Sequence, residues 1–460
     1  MLMIWINIFM LFTTNILCMD IKLSLGKKIN ENSNLYPASI TINEPIINDD
    51  VPIDLVCLFD ISPAMDLFNL KKTLNFIIDT LNYNDRLYLA SFDGKTATPI
   101  LDMKEKEMLE MTEENKVKLK SEVILLDLKE KIDIQFKQLN TILRNFFKGF
   151  SKDEKNEKRV QSIIFISAGK NNEKQKEAYL YILSGISKNI TLNIFAFNIQ
   201  SNGKDLLEMA ERMDGSFYYI NNYETAEKSV LNIIGGLRKI KYKNCNINIR
   251  SNYKIQTLYG VDHMSSGQID NDKKSNNKKD NNNSININIR QFISGKDYTY
   301  VFLVDLQNNI KYGERVLYAT VSYDDFINNK SDEANNFLNY YFSTNFFNLN
   351  KDEYCRVLAM EIINNFARDF NRIEKDKKNN LKDKLNEEYI NIIKDCNNSL
   401  DNHISEIINK ILDNMDISSI NNWIYGVISE GYLKKGGTNL WYSNSYQIDL
   451  INKYIYNKKN

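Results

Sequence analysis

The stretch PIDLVCLFDISPAMD, residues 52–66, decides the fold of this chain. Its first half is a continuous apolar run that ends at Asp60, and a short polar turn then leads into a helix-length segment, residues 67–81. A short apolar run of this kind is typical of a strand that is buried on both faces. In open α/β sheets ligands bind beyond the carboxyl ends of the strands, so Asp60 stands where a site is expected.

The same pattern recurs downstream. The apolar runs RLYLASF, SIIFIS, TLNIFAF and SFYYI alternate with segments long enough to form helices. Strands that alternate with helices predict a mostly parallel sheet that is covered by helices on both faces. We therefore expect residues 51–240 to form a doubly wound, Rossmann-like α/β domain.

Segments with a period of two flank this domain on both sides. IKLSLG and ASITI precede it, and CNINIR, SININIR, YTYVFLVDL and RVLYATVSY follow it. This period predicts half-buried strands, so residues 19–50 and 241–330 are expected to form one β-sandwich in which the α/β domain is inserted. The polar, Asn-rich stretch within residues 263–284 predicts a mobile hairpin loop rather than a basic binding patch.

Different patterns mark the two ends of the chain. Apolar residues three or four apart predict an α-helical carboxy-terminal module over residues 331–460, with about four helices. Residues 1–18 are apolar but lack a basic beginning, so a cleaved signal peptide and a dispensable extension ahead of Met19 both remain open. We expect a cytoplasmic protein, or a secreted one if residues 1–18 act as a signal.

The composition excludes several classes of function. Lys plus Arg and Asp plus Glu each number 59, so no overall positive field exists to bind nucleic acid, and membrane contact is expected only through a retained residues 1–18. The two histidines, His263 and His403, leave little room for zinc sites or for catalysis that needs two imidazoles. The absence of a nucleotide-binding or nucleophile motif also argues against an enzyme.

The five cysteines are widely spaced and include no CxxC pair. This spacing predicts no disulfide framework and favours a reducing compartment. Three further features have structural interpretations. Cys57 lies within an apolar strand and is expected in the core, Thr112 is expected to cap a helix, and SGKD at 294–297 is expected to form a turn.

Residues 60–64 resemble the first motif of the von Willebrand factor type A (VWA) domain, in which Asp-x-Ser-x-Ser follows the first central strand. The order and spacing of the later strands are similar as well. QFISGKDYTYVFLVDL and GGTNLWYSNSYQ resemble the β extension and the carboxyl end of a VWA subfamily from unicellular eukaryotes and plants. The resemblance implies a VWA fold, with partner recognition at a metal-ion-dependent adhesion site.

This sequence keeps only part of the metal-ligand set that the resemblance implies. Asp60, Ser62 and Asp133 are retained, but three positions carry no side-chain oxygen: Ala64, Ile132 and Ala168. A hard divalent cation needs several oxygen ligands, so we expect a degenerate site without metal or other cofactor. Mg²⁺ would bind only if neighbouring oxygens filled the gaps, and the alternative is that these residues form a solvated rim. The candidates are Asp66, Asp93, Asp127 and Asn171.

These observations predict a non-catalytic protein that acts in protein–protein interaction or as a scaffold. The expected contact face surrounds Asp60, Ser62 and Asp133, and the sequence does not identify the partner. The alternative is a secreted or surface adhesion protein that still uses a residual cation site.

Overall fold

The structure of the chain is a computed structural model that describes residues 19–26, 28, 33–92, 97–101, 108–128, 158–168, 190–197, 203–258, 283–306, 310–340, 351–370, 378–395, 402–413, 423–429 and 444–459. Several predictions fall outside these residues and stay predictions. They concern residues 1–18, 263–282, Asp93, Ile132, Asp133, Asn171 and His263.

Strands and helices are numbered here in chain order within the described residues. The strands are β1 Asp20–Leu25, β2 Leu35–Asn43, β3 Ile53–Asp60, β4 Arg86–Phe92, β5 Ala97–Pro99, β6 Leu109–Glu110, β7 Val160–Ser167, β8 Thr191–Phe197, β9 Phe217–Ile220, β10 Ile240–Ser251, β11 Lys254–Thr257, β12 Ser284–Ile293, β13 Tyr298–Asp305, β14 Arg315–Asp325 and β15 Lys330–Asn339. The helices are α1 Leu67–Thr80, α2 Glu113–Leu125, α3 Gly203–Arg212, α4 Tyr223–Arg238, α5 Lys351–Phe370, α6 Lys378–Asp395, α7 Asn402–Leu412, α8 423–429 and α9 Ser445–Lys459.

Within the described residues the central sheet has seven strands in the order β5-β4-β3-β7-β8-β9, with β6 also paired to β4. Strands β4, β3, β7, β8 and β9 run parallel, and the short β5 and β6 are antiparallel to β4. Every residue of β3 is buried. Leu58 belongs to the apolar cluster on one face of the sheet, whereas Cys57 and Phe59 belong to the cluster on the other face. The predicted doubly wound α/β sheet is therefore confirmed.

Helices cover both faces of this sheet. One apolar cluster joins the sheet to α1, α2 and α4, and the other joins it to α3 and to the carboxy-terminal helices α5–α8. Ser429 Oγ of α8 accepts a hydrogen bond of 3.0 Å from the backbone N–H of Phe217 in β9. The carboxy-terminal helices thus contribute to the core of the α/β domain. Among the described residues, no helix is both long and apolar enough to cross a lipid bilayer.

Two four-stranded antiparallel sheets, β1-β2-β13-β11 and β12-β10-β14-β15, form the predicted β-sandwich. They share one apolar cluster, and the α/β domain is inserted between β2 and β10. Strand β15 is a difference from the expectation, because it lies within residues 331–460, for which we predicted helices. Its sequence KSDEANNFLN is mostly polar because it is an edge strand with one face in water, so its apolar signal is weak.

Ser294 joins the sandwich, the inserted domain and the carboxyl end. Its Oγ accepts a hydrogen bond from Ile47 N (3.1 Å), on the way into the α/β domain, and donates to Lys239 O (2.9 Å), on the way out. Its carbonyl accepts from Asn444 Nδ2 (2.9 Å), just before α9. Ser294 is fully buried, so these contacts fix the junction of the three parts.

Candidate functional site

The carboxylate of Asp60 lies buried at the carboxyl end of β3. Its Oδ1 accepts hydrogen bonds from Ser62 N (3.1 Å) and Ser62 Oγ (2.7 Å). Its Oδ2 accepts from Ser167 Oγ (2.7 Å) and from Ala168 N (2.6 Å) at the end of β7. A carboxylate offers about four lone-pair positions, so these protein donors use its accepting capacity. The exposed fraction of Asp60 is 0%, which leaves it no contact with solvent.

The loop after Asp60 is ordered by local hydrogen bonds. Ser62, 3% exposed, turns its hydroxyl inward to Asp60, and its carbonyl accepts from Met65 N (3.0 Å). Pro63 is exposed and Ala64 partly exposed at the tip of this turn. Asp60 and Ser62 therefore shape the loop from beneath, and a partner that approached this face would meet residues 63 and 64 first.

The structure also locates two of the acids that were candidates to complete a metal shell. Both carboxylate oxygens of Asp66 accept hydrogen bonds from Asn69, one from its backbone N–H and one from its side chain, so that Asp66 caps α1. Asp127 is exposed, and its Oδ1 accepts from Leu128 N (2.9 Å). Within the described part of the chain, no group of three or more His, Cys, Asp or Glu side chains is arranged to hold a metal ion.

Two of the remaining site positions, Ala64 and Ala168, offer no side-chain ligand to a cation. Ala64 and Ala168 carry methyl groups, and Ala168 is fully buried with its backbone N–H bonded to Asp60. Hard cations take carboxylate, carbonyl, hydroxyl or water oxygens, so neither side chain can serve as a ligand. The acid set of the described residues thus fits a hydrogen-bonded loop better than a cation shell.

The structure also describes the helix cap, the turn, the core cysteine and one of the histidines that the sequence pointed to. Thr112 caps α2, accepting a hydrogen bond from Asn115 N (3.3 Å), and residues 294–295 form a turn, so both predictions are confirmed. Cys57 is fully buried, and burial raises the pKa of its thiol, so it stays protonated and unreactive. His403 lies in the first turn of α7.

The structure contains a disulfide bond that the cysteine spacing did not predict. Cys355 in α5 is disulfide-bonded, whereas Cys57 and Cys245 are free and buried. This bond was not predictable, because the cysteines are far apart in the chain and follow no framework spacing.

Sequence reasoning missed an ionic network at the opposite, amino-terminal end of the strands. Asp54 of β3, 3% exposed, receives two hydrogen bonds from Arg86 (2.9 and 2.7 Å) and one from Arg159 Nε (2.6 Å). Nearby, the fully buried Asp85 pairs with Arg238 at 2.8 Å. These partners are far apart in the chain, so only the folded sheet brings them together. The network pairs the buried charges at the end of the sheet opposite Asp60.

Solved structures identify the fold of this chain. No family model matches the sequence, and no curated protein matches it. Among solved structures, a von Willebrand factor type A protein from Catenulispora acidiphila is similar with a TM-score of 0.64 and 11% identity, covering 93% of this chain and 99% of that chain. The ArnB paralog VWA2 from Sulfolobus acidocaldarius is similar with a TM-score of 0.56 and 13% identity, covering 91% and 99%.

Both similarities extend well beyond the central sheet, because each covers more than nine-tenths of this chain. Identities this low carry information about the fold alone. The chain therefore has the von Willebrand factor type A fold, here inserted in a β-sandwich and followed by carboxy-terminal helices.

Proposed function

We propose that this chain is a non-catalytic protein that binds a partner protein through the Asp60 end of its VWA domain, without a metal ion. The observation that carries the proposal is the Asp60 carboxylate, whose two oxygens accept hydrogen bonds from Ser62, Ser167 and Ala168. A cation bound directly to the Asp60 carboxylate would have to displace some of these donors, and Ala64 and Ala168 would supply no oxygen ligand in return.

The absence of catalysis belongs to the same proposal. The buried, protonated Cys57 thiol lies in the core rather than at a surface, and Asp60 has no access to substrate. Both observations support a role in interaction. The partner remains to be identified, and the neutral overall charge argues against nucleic acid.

Metal titration tests the proposal directly. We expect no heat of binding and no change in melting temperature when Mg²⁺, Mn²⁺ or Ca²⁺ is added to millimolar concentration, since a ligand that binds only the folded state must stabilise it. A saturable signal that disappears in Asp60→Asn would contradict the proposal and favour a residual cation site.

A gain-of-function variant provides the matched control. The triple variant Ala64→Ser, Ile132→Thr and Ala168→Asp restores the oxygens that the VWA resemblance implies, and we expect it to bind Mg²⁺. The same triple variant with Asp60→Asn should bind more weakly. A triple variant that folds but stays silent would show that the alignment of these positions is wrong.

One observation favours the alternative of a secreted or surface protein. The disulfide at Cys355 is of a kind that persists mainly in oxidising compartments. Sequencing the mature amino terminus and counting free thiols in the protein isolated from its natural source separate the two locations. Removal of residues 1–18 together with an intact disulfide would support secretion, and a reduced Cys355 would support the cytoplasm.

A further inference from the structure

Helices α1 and α2 lie side by side on one face of the sheet, and both expose large apolar side chains. Phe68 on α1 is 66% exposed, and Ile124 and Leu125 at the end of α2 are 65% and 74% exposed. The inward face of α2 is already occupied by Leu119 and Val123, which pack in the core. Helix α2 is thus apolar on two faces, and the core accounts for only one of them.

One contact between the helices links the exposed side chains of α1 to the end of α2. Lys71 Nζ on α1 donates a hydrogen bond of 2.7 Å to the carbonyl of Ile124. The ammonium of Lys72 lies 4.1 Å from the centre of the Phe68 ring. We call the five residues Phe68, Lys71, Lys72, Ile124 and Leu125 the α1–α2 patch. The patch adjoins the Asp60 loop, because α1 starts directly after that loop.

The patch has a distinctive charge. Within the described residues, neither Lys71 nor Lys72 has a carboxylate within 4.0 Å; Lys71 bonds to a carbonyl, and Lys72 lies over aromatic rings. Three acids on α1 and in the loops beside α1 and α2 have other partners: Asp66 caps α1, Asp79 pairs with Lys120, and Asp127 accepts from Leu128 N. Two ammonium groups therefore stand among exposed apolar side chains.

This combination specifies the chemistry of a partner. Apolar side chains at the centre of an interface supply most of the binding energy, and charges at its rim set orientation and association rate. A segment with carboxylates beside apolar side chains complements the patch in both respects. A basic segment would be repelled by Lys71 and Lys72.

We propose that the α1–α2 patch binds an acidic, apolar segment of a partner protein. The apolar side chains of that segment cover Phe68, Ile124 and Leu125, and its carboxylates pair with Lys71 and Lys72. The inference rests on the proposed function, since it names the partner chemistry and adds the helices beside the Asp60 loop to the contact face.

The test uses the full chain and defined probes. A labelled synthetic peptide built only from Glu, Asp, Leu and Phe is titrated with the protein and followed by fluorescence anisotropy. The comparison probes are a peptide in which Lys and Arg replace the acids, and vesicles of phosphatidylserine and phosphatidylcholine. We expect binding of the acidic peptide alone, and we expect that binding to weaken as salt is added.

Variants locate the contact. The charge reversal Lys71→Glu with Lys72→Glu should weaken acidic-peptide binding about tenfold or more. Phe68→Ala with Leu125→Ala should weaken it several-fold. The matched control is Lys22→Glu with Lys330→Glu, which makes the same change in net charge on exposed lysines of the sandwich and should leave binding unchanged.

Three results would overturn the inference: no binding of the acidic peptide, equal loss in the control variant, or binding of vesicles in place of the peptide. These results are distinguishable from failure of the proposed function. A protein that is silent to metal but does not bind the acidic peptide disproves only the patch, whereas metal binding that depends on Asp60 disproves the metal-independent function.

Discussion

Asp60 shows how one buried charge can organise a loop. Taking a carboxylate out of water is costly unless hydrogen bonds compensate, and here the compensation comes from the loop after β3 and from the end of β7. Asp60 is thereby a structural link between two strand ends. The geometry predicts that its loss is felt in stability, whatever partner this face binds.

Asp60→Ala should lower the free energy of unfolding by about 2–4 kcal/mol, because Ser62, Ser167 and Ala168 would lose their acceptor in a buried site. Asp60→Asn should cost less, since its amide oxygen still accepts. Urea unfolding followed by circular dichroism measures both. The control Asp127→Ala, at an exposed acid, should change stability by less than about 0.5 kcal/mol. An Asp60→Ala protein as stable as its parent would mean that these hydrogen bonds contribute nothing.

Two glycines separate the effects of crowding and of backbone conformation. At Gly215, a Cβ would lie 1.8 Å from the carbonyl oxygen of Leu192, and that backbone cannot move without disturbing β8. We expect Gly215→Ala to cost about 3 kcal/mol or more. Gly313 has φ of +78° but open space around it, so Gly313→Ala should cost about 1 kcal/mol. Equal losses in thermal or urea unfolding would contradict this account.

At the residue scale, the sequence predicted which positions matter better than it predicted what they contact. The strand and turn around Asp60 follow from local pattern alone. The donors Ser167 and Ala168 lie more than a hundred residues further along, and only the pairing of β3 with β7 brings them to Asp60. Long-range hydrogen bonds of this kind leave no periodicity in a sequence, so the burial of the site was not predictable.

At the scale of elements, α9 lies within residues 331–460, where we predicted a helical module of about four helices, and it is a fifth helix among the described residues of that module. Its contacts are largely polar, which hides it from hydrophobic periodicity. Gln447 Nε2 donates to the carbonyl of Asn232 in α4 (2.6 Å). The glycine pair of α4 permits this approach, since a Cβ at Gly236 would lie 2.8 Å from Gln447 Nε2. Two glycines inside a helix lower its propensity by about 1 kcal/mol each, and the docking of α9 explains their presence.

Gln447→Ala should lower the free energy of unfolding by about 1–3 kcal/mol, because it removes the acceptor of the Asn444 N–H and one donor to the Asn232 carbonyl in a buried contact. Thermal unfolding of the variant measures the loss. Tyr456→Ala, at a 70% exposed position of the same helix, is the matched control and should have little effect. Equal effects of the two variants would show that α9 adds helix content without a specific contact.

The other difference at the scale of elements, β15, has a different cause. A polar edge strand pairs through its backbone, so its side chains need not alternate strongly between apolar and polar types. The central strands, by contrast, are buried on both faces and were recognisable as apolar runs. Sequence periodicity thus identified the elements that bury side chains and missed those held by backbone or polar contacts.

At the scale of the whole molecule, the chain is more integrated than a series of modules. The carboxy-terminal helices complete one face of the central sheet, α5 also packs against the sandwich, and Ser294 bonds to both connections of the inserted domain. The order of the patterns predicted the insertion, because strands of period two occur on both sides of the α/β region. It did not reveal the shared core, since the apolar face of a helix does not indicate which surface it covers.

Cys57 and Cys245 can show whether the parts of the chain unfold together. Both are free and buried, Cys57 in the central sheet and Cys245 in the sandwich. Ser294→Ala removes the hydroxyl that bonds to Ile47 N and Lys239 O, at an expected cost of about 1–3 kcal/mol. If the parts unfold as one unit, thiol labelling at both cysteines should accelerate by the same factor, about 10- to 100-fold.

Mass spectrometry of the labelled peptides follows each cysteine separately. The control Ser331→Ala, at an exposed serine on the edge strand β15, should leave both labelling rates within a few-fold of the parent. Faster labelling at Cys245 alone would mean that the sandwich opens while the α/β domain stays folded. In that case Ser294 would hold the junction locally, and the core shared with the carboxy-terminal helices would stabilise only the central sheet.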